Sequence, residues 1–123
     1  LPCAPDRPIS CYGGEVMSAW YDYLTDHEGA KEDDLATETL AESRQRIIQI
    51  LDCEVEALQG CSERLFLGGC SQGCAMAMDV FQHYPRRLGG FLGTIGHVLS
   101  CTPINLTQRQ APVRIYLGAA DEM

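Results

Sequence analysis

A five-residue motif, Gly69-Cys70-Ser71-Gln72-Gly73, limits the folds open to this chain more than any other feature of its sequence. The run before it, from Arg64 to Gly68, is short and apolar, which is typical of a buried parallel strand. The residues after it, from about Gln72 to Tyr84, predict a helix that is apolar nearly all round and that ends before Pro85. Strand, motif and helix in this order predict a sharp turn with Ser71 at its tip.

A serine in such a turn is suited to nucleophilic chemistry. The turn would lift the Ser71 hydroxyl above the C-terminal edge of the sheet, where ligands bind in open α/β folds. We expect Gly69 and Gly73 to avoid clashes that a side chain would make with neighbouring backbone. The N-terminus of the following helix favours developing negative charge, and the Gln72 N–H is a predicted oxyanion-hole donor. We therefore predict a catalytic nucleophile at Ser71 rather than an inert turn serine.

A serine hydroxyl is a weak nucleophile without a base, and in this type of site the acid and then the histidine follow the serine along the chain. Asp121 is the predicted catalytic acid because it comes four residues after a candidate strand that ends at Leu117, and Glu122 is the nearby alternative. All the histidines of the chain precede Asp121 and so do not fit the order: His27, His83 and His97.

The histidines have other predicted places. We expect His27 and His83 at the surface, one in an acidic loop and the other near the end of the helix that follows Ser71. His97 follows a candidate strand and is expected to line the pocket, but we do not assign it as the base. The acidic residues around His27 are expected to form a solvated loop and the start of a helix.

Residues from about Thr39 to Leu58 predict the longest helix of the chain. Thr39 and Glu42 have the spacing of a capping box, and Gly60 is placed to end the helix. The apolar residues fall at helical intervals: Leu40, Ile47, Leu51, Val55 and Leu58. This segment therefore predicts an amphipathic helix with one buried face.

Two further strands are predicted, at Gly89–Ile95 and Val113–Leu117. The opening from Leu1 to Gly14 is rich in proline and glycine and is expected to be a loop, and Trp20 is a predicted packing anchor. Strands that alternate with helices of this length predict an α/β fold with a mostly parallel sheet flanked by helices.

Composition excludes several classes of function. The net charge is −8, which argues against a nucleic-acid partner because phosphate binding needs a basic surface. No stretch reaches the ~18 consecutive apolar residues of a membrane-spanning helix. The chain has seven cysteines, an odd number without a Cys-x-x-Cys pair, so we expect free thiols and a cytoplasmic location. Reactive chemistry at Cys70 or Cys74 is a weaker alternative to chemistry at Ser71.

Several stretches together carry a resemblance to a known family: Cys3–Pro8, Trp20–Asp22, Leu67–Gly73 and Gly118–Met123. The chain resembles the acyl-protein thioesterases and their lysophospholipase-like relatives within the phospholipase/carboxylesterase family. The most specific of these motifs is Leu67–Gly73. The resemblance implies an α/β-hydrolase fold, and it supports Asp121 over Glu122 as the acid.

The resemblance also implies parts that this sequence does not contain. Family members have an early strand and a His-Gly loop that supplies a second oxyanion donor, and their catalytic histidine lies well beyond the position of Asp121. We therefore expect residues 1–123 to be a single partial α/β-hydrolase domain, incomplete at both ends, with its catalytic histidine outside this chain.

The function that the resemblance implies is a serine hydrolase that cleaves acyl thioesters or carboxylic esters. Its expected substrates are S-acylated proteins or lysophospholipids, with transient contact to a membrane surface and without a cofactor or metal. Because no histidine of the chain fits as base, the alternative is a catalytically silent fragment that binds an acyl group or a protein.

Overall fold

The computed structural model describes residues 1–118, so Asp121 and Glu122 lie outside the described residues. The chain begins with a two-stranded hairpin, and helices and parallel strands follow. The elements are β1 (Asp6–Ile9), β2 (Glu15–Ser18), α1 (Thr37–Ala57), β3 (Phe66–Cys70), α2 (Gln72–His83), β4 (Gly90–Thr94) and β5 (Val113–Tyr116).

The central sheet has the order β3-β4-β5, and both pairs of strands are parallel, which confirms the predicted parallel sheet. Helix α2 packs on β3 and β4, and α1 packs on α2. The register aligns Gly69 with Gly93 and Gly93 with Ile115 on the face that α2 covers. The C-terminal ends of the strands therefore meet at the edge where Ser71 lies.

The prediction that the strand before the motif is buried is wrong. Phe66 is 68% exposed, and Leu92 and Tyr116 are exposed on the same side of the sheet, away from α2. Within the part of the chain that the structure describes, β3 has a strand on one side only, and no helix covers this second face. An edge strand with one covered face cannot bury all its side chains.

Helix α1 is confirmed, but the predicted cap at Thr39 is wrong. The N-cap is Ala36. The Thr39 hydroxyl donates to the Ala36 carbonyl at 3.0 Å and accepts from the Asp22 N–H at 2.9 Å. Thr39 therefore ties the first turn to the segment before the helix instead of capping it. The predicted apolar face is buried apart from Leu58, which is half-buried: Leu40, Ile47, Leu51 and Val55.

The opening of the chain, predicted as a loop, contains β1, and β1 pairs antiparallel with β2. The prediction of a loop is therefore wrong for Asp6–Ile9. Gly13 and Gly14 have φ of 67° and 86°, so they close a tight turn between two strands. Pro8 is compatible with β1 because the hairpin has only two strands and each is an edge. Ile9 anchors the hairpin, with only 1% of its surface exposed.

The core lies between α1, α2 and the covered face of the sheet. Helix α2 is buried around most of its circumference, as predicted, and Met76 and Met78 fill core space. Phe81 packs against Phe91 with ring centroids 5.6 Å apart. The one polar residue buried in this helix, Asp79, is fully enclosed. Within residues 1–118, no helix combines the length and the apolarity needed to cross a bilayer.

Candidate active site

Ser71 lies directly between β3 and α2, at the N-cap of the helix. Its backbone has φ 53° and ψ −127°, a conformation that residues with a side chain rarely adopt. Strain of this kind costs about 1–3 kcal/mol and persists where the surrounding structure holds it in place. The residue is exposed, so the strained turn presents its side chain to solvent.

The Ser71 hydroxyl does not cap the helix. Serine is a favoured N-cap because its oxygen accepts a hydrogen bond from the first turn, but Ser71 makes no such bond. Its backbone is hydrogen-bonded at both polar groups: the N–H donates to the Thr94 carbonyl at 3.0 Å, and the carbonyl accepts from the Cys74 N–H at 2.9 Å. The turn therefore fixes the backbone and leaves the hydroxyl available, which is the arrangement a nucleophile needs.

The two motif glycines have different neighbours. A Cβ at Gly69 would overlap the carbonyl group of Gly73, which is backbone and has little room to move. A Cβ at Gly73 would lie 3.3 Å from Nε1 of Trp20, a side-chain atom. The expected backbone clash therefore applies at Gly69, whereas Gly73 instead makes room for an indole.

We expect Gly69→Ala to damage the turn far more than Gly73→Ala. The first substitution forces β3 away from α2, and overpacking of this kind costs about 1–3 kcal/mol or more. The second needs only a small shift of the Trp20 ring. Urea unfolding of both variants measures the difference, and equal losses of stability would contradict the predicted asymmetry.

Gln72 follows Ser71 as the first residue of α2. Its backbone N–H points out of the helix N-terminus, and it has no hydrogen-bond partner within residues 1–118. An unpaired donor at a helix N-terminus attracts negative charge, because the aligned peptide dipoles place positive potential there. The position thus suits the predicted oxyanion donor.

Each histidine is engaged with another residue. The His27 ring contacts the Thr25 hydroxyl at 3.2 Å, and His97 Nε2 lies 3.7 Å from Glu32. His83 contacts the buried Asp79, with 2.8 Å between its Nδ1 and the Asp79 carbonyl oxygen. We predicted both His27 and His83 at the surface, but the structure shows both half-buried.

His97 lines a cavity of about 410 Å³ together with Tyr21, Tyr23, Leu35 and Leu99. The cavity is bounded on one side by the acidic loop, where Glu32 accepts from the Ser100 N–H at 3.0 Å. The loop predicted to be solvated is therefore partly held in place. Across residues 1–118, no three His, Cys, Asp or Glu side chains are grouped so that they could hold a metal ion.

The two cysteines of the motif region differ in accessibility. Cys70 is exposed, whereas Cys74 is completely enclosed, and burial raises the pKa of the Cys74 thiol. A raised pKa leaves less of the reactive thiolate at neutral pH. The structure therefore gives no support to cysteine chemistry at Cys74.

We expect iodoacetamide at pH 8 to alkylate Cys70 in the native protein and to leave Cys74 unmodified. The alkylating agent must reach a thiolate, and Cys74 is both enclosed and poorly ionised. Peptide mass spectrometry before and after denaturation measures the two positions. Modification of Cys74 at the Cys70 rate in the native state would show that the helix opens.

Sequence reasoning gave Trp20 and Tyr21 no role in the site beyond packing. The segment lies against the turn at Ser71, where the Tyr21 carbonyl accepts from the Gln72 side chain, and Tyr21 is fully buried. Asp22 holds the segment to the hairpin, since its carboxylate accepts from the Ser10 N–H at 2.7 Å and from the Ser10 hydroxyl at 2.6 Å. The sequence contained only a weak signal for this, the aromatic pair followed by an aspartate.

Comparison with known proteins gives consistent matches. A family model for phospholipases and carboxylesterases matches residues 1–122. Acyl-protein thioesterase 1 of Schizosaccharomyces pombe is 34% identical over 96 residues, which are 78% of this chain and 41% of that protein. The carboxylesterase SOBER1 of Arabidopsis thaliana is 33% identical over 93 residues, which are 73% of this chain and 34% of that protein.

A crystal structure of the F65L variant of Arabidopsis thaliana SOBER1 superimposes with a TM-score of 0.69. The match covers 95% of this chain and 72% of that one, at 22% identity, and at this identity it shows the fold alone. In sequence, the chain spans about half the length of several curated relatives that it matches, for example 55% of a Yarrowia lipolytica protein.

Proposed function

Because this chain belongs to the phospholipase/carboxylesterase family and has an α/β-hydrolase fold, we propose that it carries the nucleophile of a serine hydrolase. The reaction is cleavage of acyl thioesters or carboxylic esters. The observation that carries the proposal is the exposed Ser71, whose strained backbone is fixed at both ends while its hydroxyl caps nothing.

In the proposed mechanism, the Ser71 oxygen attacks the acyl carbonyl carbon, and a histidine takes the hydroxyl proton. The thiol or alcohol leaves with that proton, and water then releases the acid from the acyl-serine. Asp121 orients the histidine, which we place outside this chain. That placement is supported by the hydrogen bonds of the described residues, none of which joins Ser71 to a histidine of this chain; the three have other partners: His27, His83 and His97.

The tetrahedral intermediate places a negative charge on the former carbonyl oxygen. We propose that the Gln72 N–H donates to this oxygen, because that N–H is unpaired in the described chain and lies at the N-terminus of the 12-residue helix α2. Such donors act because they are oriented before the charge appears.

The proposed substrates are S-acylated proteins or lysophospholipids. The relatives named acyl-protein thioesterase support the first class, and the name of the family supports the second. Both kinds of substrate are associated with membranes, so transient contact with a membrane surface is part of the proposal. We also propose a cytoplasmic location, because seven cysteine thiols suit a reducing compartment.

A fluorophosphonate probe tests the proposal in the full-length natural protein. We expect covalent labelling at Ser71, identified by peptide mass spectrometry, and turnover of a palmitoyl thioester or of lysophosphatidylcholine that labelling abolishes. Labelling without turnover of either would reject these substrates. If Ser71 is not labelled and neither is cleaved, the protein is instead a hydrolase-like binding module.

A further inference from the structure

The side chain of Gln72 is held at both ends of its amide group. Its Oε1 accepts from the Trp20 N–H at 2.7 Å, and its Nε2 donates to the Tyr21 carbonyl at 3.0 Å. A side-chain amide that bonds two successive backbone groups has one orientation available. The residue that follows Ser71 is therefore fixed to a segment 52 residues earlier in the chain.

The segment that Gln72 contacts is itself fixed. Tyr21 is completely buried, and the Ser43 hydroxyl of α1 donates to the Trp20 carbonyl. On the hairpin side, Arg7 Nε donates to the Ala19 carbonyl at 2.9 Å. Gln72 is thus bonded to a rigid part of the molecule.

The turn is supported from two sides as a result. On one side the Ser71 N–H donates to Thr94 of β4 at 3.0 Å. On the other side Trp20 packs over Gly73, and the Gln72 amide bonds to the same segment. If the Gln72 contacts were lost, the turn would keep its bond to β4 and the packing of Trp20, but it would lose both hydrogen bonds that tie residue 72 to the Trp20–Tyr21 segment.

We propose that the Gln72 side chain is a positioning group that holds its own backbone N–H and the adjacent Ser71 in the geometry for catalysis. The inference rests on the serine-hydrolase function proposed above. Its physical basis is that an oxyanion donor must already be aimed when charge develops, and a displacement of about 1 Å is enough to lower the rate ~100-fold.

The test is Gln72→Met in the full-length protein, since methionine keeps the size and removes both hydrogen bonds. The matched control is Gln82→Met on the same helix, where Oε1 accepts from the Asn105 N–H at 2.8 Å. We expect kcat for Gln72→Met to fall about 10–100-fold while KM changes by less than about 2-fold. We expect Gln82→Met to keep the kcat of the wild type.

A second variant, Gln72→Lys, separates positioning from charge and keeps one donor for the Tyr21 carbonyl. A positive charge near the oxyanion would by itself favour the reaction. A lower kcat in this variant therefore reports lost positioning, and we expect a fall of roughly 3-fold or more. It also serves as the test if Gln72→Met does not fold.

The outcomes separate this inference from the proposed function. If the wild type neither turns over esters nor reacts at Ser71, both are refuted. If the wild type is active and a folded Gln72 variant keeps its kcat, only the positioning role is refuted. A loss of kcat that Gln82→Met reproduces also overturns it, because a general loosening of α2 then explains the effect.

Discussion

Ser71→Ala is expected to lower kcat/KM for acyl ester hydrolysis by about 10⁴–10⁶-fold without changing the stability of the protein. The loss corresponds to roughly 5–8 kcal/mol of transition-state stabilisation, because each tenfold in rate is about 1.4 kcal/mol. What remains would come from the oxyanion hole and from substrate binding. Steady-state kinetics on a chromogenic ester measures the loss.

Unchanged stability is as important to this prediction as lost activity. The Ser71 hydroxyl caps no N–H of α2, so its removal leaves no orphaned partner. Alanine has a Cβ like serine, so the strain at φ 53° stays the same. We expect the free energy of unfolding to change by less than about 0.5 kcal/mol.

Ser100→Ala is the matched control, because Ser100 is exposed and its bond to Glu32 is made by the backbone N–H. It should change neither activity nor stability. If Ser71→Ala kept more than about 1% of the activity, the nucleophile would lie elsewhere. If it lost more than about 1 kcal/mol of stability, Ser71 would be structural.

The parts of the fold that the sequence predicted well are those specified by local patterns. Periodic apolar residues identified α1, and an apolar stretch that ends before Pro85 identified α2. The motif between a strand and a helix identified the turn at Ser71. The parallel strands followed from their alternation with helices. The α/β-hydrolase fold implied by the resemblance is confirmed by the match to SOBER1. The catalytic roles of Ser71 and Asp121 stay predictions.

The parts that the sequence did not predict depend on partners distant in the chain. Proline and glycine near the start indicated a loop, but pairing with a second strand turned them into a hairpin. The bonds of the Gln72 amide reach Trp20 and Tyr21, and nothing near residue 72 signals them. Local sequence patterns do not reveal such contacts, because the partners lie far apart in the chain and meet only when it folds.

The buried acid of α2 is another such feature. Asp79 Oδ2 lies 2.6 Å from Arg44 Nε of α1, and its Oδ1 accepts from the Thr102 hydroxyl at 2.9 Å. His83, one turn further along α2, lies 3.4 Å from the same Oδ1. This carboxylate therefore joins both helices and the segment after β4. A charged residue in an otherwise apolar helix was the signal in the sequence, since buried acids need partners.

Asp79→Ala is expected to lower the free energy of unfolding by about 3 kcal/mol. The substitution leaves the Arg44 guanidinium, whose side chain is only 24% exposed, without its partner. It also leaves the Thr102 hydroxyl without its acceptor. Urea unfolding of the full-length protein measures the loss, and Asp79→Asn, which keeps an acceptor for Thr102, should lose less.

An exposed ion pair provides a contrast that tests whether an unpaired buried charge causes the loss of stability. Arg7 Nη1 and Glu42 Oε2 lie 4.0 Å apart, and the Glu42 side chain is 72% exposed. We therefore expect Glu42→Gln to change the free energy of unfolding by less than about 0.5 kcal/mol. We expect the single variants Asp79→Leu and Arg44→Met each to lose stability, because each leaves one charge unpaired, and we expect the double variant to recover much of the loss, because two apolar side chains leave no unpaired charge. If the double variant were as unstable as the two single variants added together, the loss would come from packing rather than from the unpaired charge.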